Sequence, residues 1–276
     1  MSLITALPGA AAQGLIWGIM AIGVYITFRI LDIADLTVDG TLCTGGAVCI
    51  MMMLSGHNVW VSMLVATGAG LLAGLATGIF HTFMGIPAIL AGILTQLSLY
   101  SVNLKIMGKA NQAINVDKFN LLVSLRRVKG VALTQNTLFI VAIMIIILIA
   151  VLYWFFGTEL GCSLRATGCN PSMSRAQGIN TDRNKVLGLM LSNGLVALSG
   201  ALLTQYQGFA DINMGRGSIV IGLAAVIIGE AIFSRIFRNF ALKLLSVVFG
   251  SILYYLVLQI VIWMGIDTDL LKMLSA

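Results

Sequence analysis

Charge is the property that this sequence most lacks. Only 9% of its 276 residues are charged, whereas 59% are hydrophobic, and the mean hydropathy is +1.02. A soluble domain covers its apolar core with charged and polar residues, and 16 basic and 10 acidic residues cannot cover a chain of this length in water. The composition excludes a soluble globular protein and predicts an all-α, polytopic membrane protein that forms a single domain over residues 1–276.

Residue types that usually carry chemistry are also scarce. The two histidines stand alone, and the spacing of the four cysteines matches no common zinc or redox motif. No G-x-x-x-x-G-K-[ST] phosphate loop is present, since "MGKAN" at Met107 lacks the upstream glycine and the hydroxyl. The net charge of +6 comes without a basic patch interleaved with aromatic residues. We therefore expect no metal, no cofactor, no nucleic-acid partner and no enzymatic activity, and we expect any ATP hydrolysis to occur in another chain.

Long apolar runs dominate what is present. A window of about 20 residues finds roughly eight segments, over 9–28, 41–54, 59–80, 86–102, 137–156, 186–206, 219–233 and 244–266. The first is too long for a cleaved signal peptide and lacks a basic leader, so we expect it to be retained. The second and seventh are short, and each is preceded by a glycine-rich polar entry, in "DLTVDGTLCTGGAV" and "DINMGRGSIVIGLAAV" respectively. These two predict either broken or re-entrant helices lining a cavity, or ordinary helices accommodated by tilt.

Glycines repeat every four residues at two places, which predicts close helix packing. The first is Gly14 and Gly18, and the second is Gly70, Gly74 and Gly78. Bare faces of this kind let helix backbones approach closely in lipid. We interpret them as packing seams without chemistry of their own.

Some polar side chains lie in or beside these segments, where each needs a helix partner, water or a substrate. As residues of a translocation pathway we predict Asp39, Thr95, Gln96, Thr204, Gln205 and Asn213. Glu230 lies just before Ser234 and Arg235, which predicts an ion pair at a helix end. An ion-coupled secondary transporter is the alternative function, but it would need an ionisable group at mid-membrane, and none of the long apolar segments has an acidic or basic residue.

A polar stretch, "SLRATGCNPSMSRAQGINTDRNK" (Ser163 to Lys185), separates the fifth and sixth segments. Asn170 followed by Pro171 predicts a helix start, Gly178 predicts its end, and Thr181 is the expected cap of the next helix. So short a helix needs external contacts. It could lie on lipid headgroups or in a groove of a protein partner, and its small apolar face of Met173, Ala176 and Ile179 favours the groove.

This stretch resembles a motif of bacterial ATP-binding cassette importers. "LRATGCNPSMSRAQGI", together with "GLIWGIMAIGVYITFRILDIADLTVDGTLCTGGAV" and "SNGLVALSGALL", resembles the permease subunits of the branched-chain amino acid and ribose type, and most closely a subgroup labelled as aromatic amino acid transporters. The residues in register with the motif are Leu164, Arg165, Ala166, Gly168, Asn170, Pro171, Ala176, Gly178 and Ile179. The resemblance covers most of the chain, although many relatives have more spans than the segments counted here.

The resemblance implies a function and a set of partners. The chain would be a homodimeric, multi-pass permease of the bacterial plasma membrane that imports a small solute such as an amino acid, delivered by an extracellular substrate-binding protein. The stretch 170–177 would be a cytoplasmic coupling helix that inserts into a separate ATPase subunit. The coupling residues would be Arg165, Asn170, Pro171, Ser172, Met173, Arg175 and Gly178.

Orientation depends on the resemblance, because Lys and Arg are equally divided between the two alternating sets of loops. With the coupling helix in the cytoplasm, the basic loop 103–136 faces outward. Its residues Lys105, Lys109, Arg126 and Arg127 suit docking of an acidic face of the binding protein, and a plain solvated loop is the alternative.

Overall fold

The computed structural model describes residues 3–114, 119, 121–128, 136–234, 237 and 239–265. Ten α-helices and one two-stranded antiparallel ribbon form this part of the chain. The helices are α1 (Leu3–Tyr25), α2 (Val38–Leu54), α3 (Val59–Thr82), α4 (Ala88–Met107), α5 (Thr137–Gly157), α6 (Glu159–Cys169), α7 (Pro171–Ala176), α8 (Thr181–Gln207), α9 (Ser218–Phe233) and α10 (Phe240–Trp263). The strands are β1 (Asn111–Ala113) and β2 (Phe209–Asp211), α1 continues into a π-helical turn (Ile26–Ile30), and a short 3-10 helix covers Leu125–Val128.

Each of the eight predicted apolar segments forms a helix. Among the described residues, six helices are long and apolar enough to cross a membrane, namely α1 with its π turn, α3, α4, α5, α8 and α10. The other two, α2 and α9, have 17 and 16 residues. At 1.5 Å per residue each is about 25 Å long, which is less than the roughly 30 Å of a bilayer core. The prediction of a polytopic all-α protein with two short segments is confirmed.

The centre of the bundle is α8, which packs against α1, α2 and α3. A Cβ added at Gly70 or Gly74 of α3 would meet the α8 backbone at Asn193 or Leu189, and one at Gly45 of α2 would meet Ala197. Only glycine allows backbones this close, and close packing of backbones holds helices together where lipid supplies no hydrophobic drive. The two predicted glycine seams are confirmed, since a Cβ at Gly14 would meet the α10 backbone at Ile252, and one at Gly18 would meet the side chains of Ser251 and Val248 in α10.

A non-helical linker, residues 31–37, carries the chain from the end of α1 into the bundle. Burial alternates along it, with Ile33, Asp35 and Thr37 buried and Asp32 and Ala34 exposed. It starts beside α6, where a Cβ at Gly168 would meet the carbonyl of Ile30. It ends near the middle of α8, where α2 begins.

A second non-helical segment, residues 208–217, leads from the opposite end of the bundle to α9. Its first part is β2, which pairs with β1 so that Asp211 lies opposite Asn111. Its turns then bring Gly215 against the carbonyl of Asp39 in the first turn of α2. The two short helices therefore start side by side inside the bundle, and from there α2 runs parallel to α8 while α9 runs parallel to α1.

The helices alternate in direction, so the loops fall into two sets at opposite ends. One end, here called the coupling end, holds the ends of α1, α3, α5 and α9 together with α6 and α7. At this end Arg29 Nε lies 3.0 Å from Glu230 Oε1, which confirms a helix-end ion pair for Glu230, although its partner comes from the π-helical turn after α1. Arg235 lies outside the described residues. The other end, here called the ribbon end, holds β1, β2 and residues 121–128.

Candidate functional site

The short helix α7 at the coupling end is capped at its start and its end as predicted. Asn170 Oδ1 accepts a hydrogen bond from the Met173 amide at 3.0 Å, and Pro171 occupies the first turn. Gly178 has φ of +81°, its amide donates to the Arg175 carbonyl at 2.9 Å, and the Ile179 amide donates to the Ser174 carbonyl at 3.0 Å. This pair of bonds satisfies the last carbonyls of the helix and gives it a fixed end.

Side-chain hydrogen bonds stabilise α7 internally and attach it to the helix that follows it. Ser174 is fully buried, and its hydroxyl donates to the Asn170 carbonyl at 3.0 Å. Arg175 Nε donates to Thr181 Oγ1 at 2.9 Å. The prediction that Thr181 caps α8 is wrong, because its hydroxyl accepts from Arg175, and the cap is Asn180, whose Oδ1 accepts from the amides of Asp182 and Arg183 at 3.1 Å.

The helix α6, which the sequence did not predict, attaches α7 to the bundle from the other side. Asn184 of α8 donates to Thr167 Oγ1 at 2.8 Å and to Ser163 Oγ at 3.2 Å. Arg165 lies on α6, and its guanidinium is 5.3 Å from the ring centre of Phe240 in α10. Arg165 therefore contacts the membrane bundle, whereas the other predicted coupling residues lie on α7 and its caps.

The outer face of α7 is exposed. Pro171, Ser172, Met173 and Arg175 are all exposed, and the apolar side chain of Met173 is 53% accessible. A rigid helix with an unburied methionine at its tip is a surface suited to a protein groove.

A cavity of about 340 Å³ lies between α2, α4 and the turn before α9. Its walls are Asp39, Gly40, Cys43, Gln96, Leu97, Tyr100, Asn103, Ile212 and Arg216. Asp39 also fixes the geometry of this region, because its carboxylate accepts from the Gly217 amide at 2.9 Å, the Ser218 hydroxyl at 2.9 Å and the Ile219 amide at 3.0 Å. The carboxylate at the start of α2 thus caps the start of α9.

The predicted pathway residues fall into two groups. Asp39 and Gln96 line the cavity, while Thr95, Thr204 and Gln205 are buried and do not. Thr95 Oγ1 is 3.0 Å from Thr77 Oγ1, and Gln205 Oε1 accepts from the Leu122 amide at 3.3 Å. These bonds hold helices and loops together.

Asn213 is exposed in the turn before α9, and its amide donates to Asp211 Oδ1 at 2.7 Å. Thr204 Oγ1 lies 3.9 Å from the sulfur of Met214 in the same turn.

Sequence reasoning missed a buried polar cluster at the start of α2. Asp35 is 2% exposed, its Oδ1 accepts from the Thr37 amide at 2.9 Å, and its Oδ2 accepts from Asn193 Nδ2 at 2.7 Å. Thr41 Oγ1 donates to Asn193 Oδ1 at 2.7 Å. Asp35 lies in the linker between two apolar segments, so a search for ionisable residues inside the segments could not find it.

Arg216, Tyr100 and Asn103 of the cavity were missed as well. Tyr100 belongs to a long apolar run, Asn103 lies just beyond its predicted end, and Arg216 lies in a glycine-rich turn. Only the presence of a lone cation in "MGRGS" could have singled out Arg216.

Lys105 and Lys109 are exposed near the ribbon end. Arg126 and Arg127 belong to the short 3-10 helix at the same end, and their side chains lie outside the described part of the structure. Within the residues described, no cluster of three or more His, Cys, Asp or Glu side chains could hold a metal ion.

Comparison with known proteins identifies the family. Residues 7–276 match the family described as the branched-chain amino acid transport system permease component. The chain is 38% identical over 264 residues, 96% of its length and 85% of the relative's, to a tyrosine transport system permease protein of Clostridioides difficile (strain R20291). It is 29% identical to the autoinducer 2 import system permease protein LsrC of Yersinia pseudotuberculosis serotype O:1b (strain IP 31758), covering 80% of this chain and 60% of that one.

A solved structure, PsaBC from Streptococcus pneumoniae in complex with Fab, covers 94% of this chain and 91% of that chain at 18% identity, with a TM-score of 0.44. The family match spans nearly the whole chain, including α6, α7, the two short helices α2 and α9 and the residues that line the cavity. The chain therefore belongs to the branched-chain amino acid transport system permease family, and it is a multi-pass permease subunit of an ATP-binding cassette importer in the bacterial plasma membrane.

Proposed function

We propose that α7 with its two caps, residues 170–178, is the coupling element that inserts into a cleft of a separate ATPase subunit. ATP hydrolysis then takes place in that subunit, and this chain contributes the transmembrane path. The observation that carries the proposal is the rigid mounting of a six-residue helix whose outer face is exposed. A helix this short folds only when it is held by contacts, and here it is held at both ends.

Force from the ATPase has a short route into the bundle. The bond from Arg175 to Thr181 joins α7 to α8, and α6 joins it to α10 through Arg165 and to the end of α1 at Gly168. The linker 31–37 starts at that same point and leads to α2. We propose that movement of α7 changes the position of this linker and thereby opens and closes the cavity.

The functional unit is proposed to be a homodimer with the path between its two subunits. The cavity is bordered by α4, and only 22% of the apolar window of α4 is buried within one chain. Its exposed apolar side chains therefore have a large surface available for a second copy or lipid. A central path between two copies would place both cavities on it.

The transported solute is proposed to be a small amino acid-like compound, which the tyrosine transport system relative supports. We propose that a substrate-binding protein delivers it at the ribbon end. The exposed Lys105 and Lys109, together with Arg126 and Arg127 in the sequence, give this end the positive charge that attracts an acidic partner surface.

Co-purification tests the coupling proposal. Met173→Asp places a charge on the exposed tip without disturbing a buried contact, so the ATPase subunit should no longer co-purify with the permease and ATP-driven uptake should be lost. Met264→Asp is the matched control, because Met264 is also exposed, at 67%, but lies at the ribbon end. The control should retain the ATPase.

Two results would contradict the proposal. One is an ATPase that still co-purifies with the folded Met173→Asp protein at the wild-type ratio. The other is uptake that continues without any ATPase and stops on addition of an uncoupler, which is the behaviour of an ion-coupled carrier.

A further inference from the structure

We propose that the cavity between α2, α4 and the turn before α9 is a selectivity site of the permease itself, which binds the ammonium and carboxylate groups of a zwitterionic amino acid. The inference rests on the proposed transport function and adds to it the site and the chemical class of the solute. Discrimination would then occur in the membrane as well as in the substrate-binding protein.

Opposite charges line this cavity without pairing. Arg216 forms no ion pair with any residue that the structure describes, and its guanidinium lies 6.0 Å from the ring centre of Tyr100. A guanidinium that is exposed and free of acidic partners suits bidentate binding of a carboxylate. Stacking on the Tyr100 ring would orient its planar fork toward the cavity.

Acceptors for an ammonium group lie on the other wall. A carboxylate offers about four lone-pair sites, and Asp39 already uses three on Gly217, Ser218 and Ile219. Its negative charge is not neutralised by an ion pair with any described residue. It therefore attracts a cationic group while its position stays fixed.

Asn103 provides an independent sign that the cavity receives a ligand. Its side chain is 1% exposed, Nδ2 donates to the Gly40 carbonyl at 3.4 Å, and Oδ1 has no partner in the described structure. Buried acceptors of native proteins are almost always paired. An N–H donor of a bound solute would pair this oxygen after a small adjustment of the wall.

The remaining lining sets the kind of side chain. Leu97, Ile212 and the Tyr100 ring are apolar, and about 340 Å³ falls within the range of small-molecule sites. A neutral sugar has no charged group that could pair with Asp39 or Arg216. An amino acid with an apolar or aromatic side chain could pair with both charges and place its side chain against the apolar lining.

Equilibrium binding of three related probes tests this assignment. The sample is the purified permease–ATPase complex without binding protein and without ATP. The probes are L-tyrosine, tyramine, which lacks the carboxylate, and 3-(4-hydroxyphenyl)propionate, which lacks the ammonium. Wild type should bind L-tyrosine at least about tenfold more tightly than either analogue. Each analogue lacks one charged group and therefore one charge-assisted hydrogen bond with the cavity.

Variants assign each half of the site. Arg216→Gln should reduce the ratio of the affinities for L-tyrosine and tyramine to about one. The ratio for L-tyrosine and the propionate should stay as in wild type. Asn103→Leu should weaken mainly the preference over the propionate. Lys243→Gln, which changes an exposed basic residue at the coupling end, should leave both ratios unchanged. Equal unfolding temperatures would confirm that the variants fold.

The inference fails if wild type shows no saturable L-tyrosine binding, binds the three probes equally, or keeps its preference over tyramine in folded Arg216→Gln. Co-purification of the ATPase is scored on the same preparations. Lost probe binding with a bound ATPase overturns only the selectivity site, whereas a wild-type permease that retains no ATPase overturns the proposed function.

Discussion

Asp35 lies in the linker between α1 and α2, and only 2% of the residue is exposed. Its two oxygens accept from the Thr37 amide and from Asn193, and Asn193 in turn accepts from Thr41. A buried polar group is tolerated when all its hydrogen bonds are made, and its removal leaves the partners unpaired. This cluster therefore fixes the start of α2 against the middle of α8.

Asp35→Ala should lower the free energy of unfolding by about 2 to 3 kcal/mol, because two buried donors lose their acceptor. Chemical unfolding of the purified protein in detergent measures the change. Asp182→Ala removes an exposed acid in the first turn of α8 and should cost less than about 1 kcal/mol. Equal stabilities of the two variants would show that the Asp35 cluster does not hold α2.

At the scale of the elements, α2 and α9 are the unusual parts. Each begins partway along the bundle after a non-helical segment, and the first amides of a helix need acceptors that the helix itself does not supply. Asp39 supplies acceptors to α9 across 178 residues of sequence. One carboxylate thus ties the two short helices into a unit beside the cavity.

Asp39→Ala should increase hydrogen exchange at the Gly217 and Ile219 amides, since both lose the acceptor Asp39. Loss of a helix cap costs about 1 to 2 kcal/mol. Asn58 caps α3, because its Oδ1 accepts from the Trp60 amide. Asn58→Ala should therefore speed hydrogen exchange at the start of α3 only. Unchanged exchange at Gly217 in Asp39→Ala would contradict the cap.

For the whole molecule, the important feature is its two ends. The coupling end has the exposed Cys162 and Cys169 on α6, the ribbon end has the exposed Lys105 and Lys109, and Cys43 and Cys49 are buried in α2. Reagents that cannot cross a membrane therefore distinguish the two orientations.

In intact cells an impermeant maleimide should label Lys109→Cys in a background where Cys162 and Cys169 are serine. It should not label the wild-type protein, whose exposed thiols lie at the coupling end. After permeabilisation, Cys162 and Cys169 should react and Cys43 and Cys49 should remain protected. Labelling of Cys162 in intact cells would reverse the proposed orientation and remove α7 from reach of a cytoplasmic ATPase.

Local features of the sequence were sufficient to predict most of the helices and the caps of α7. Hydropathy located all eight apolar helices, and the shortness of α2 and α9 was visible in the length of their runs. Asn170, Pro171 and Gly178 specified α7, because caps act within a few residues. The helix α6 was not predicted, since its 11 residues carry too few apolar positions to stand out, and the cap of α8 was assigned one residue too late.

By itself, then, the sequence determined the membrane class, the helical segments and the capped short helix α7, because apolar length and capping depend on neighbours along the chain. Only the tertiary structure decided which polar residues meet. It paired Asp35 with Asn193 and Asp39 with the start of α9, and it placed Arg216, Tyr100 and Asn103 in one cavity while burying Thr204 and Gln205 elsewhere. These residues are far apart in sequence, and only the packing of the helices brings them together.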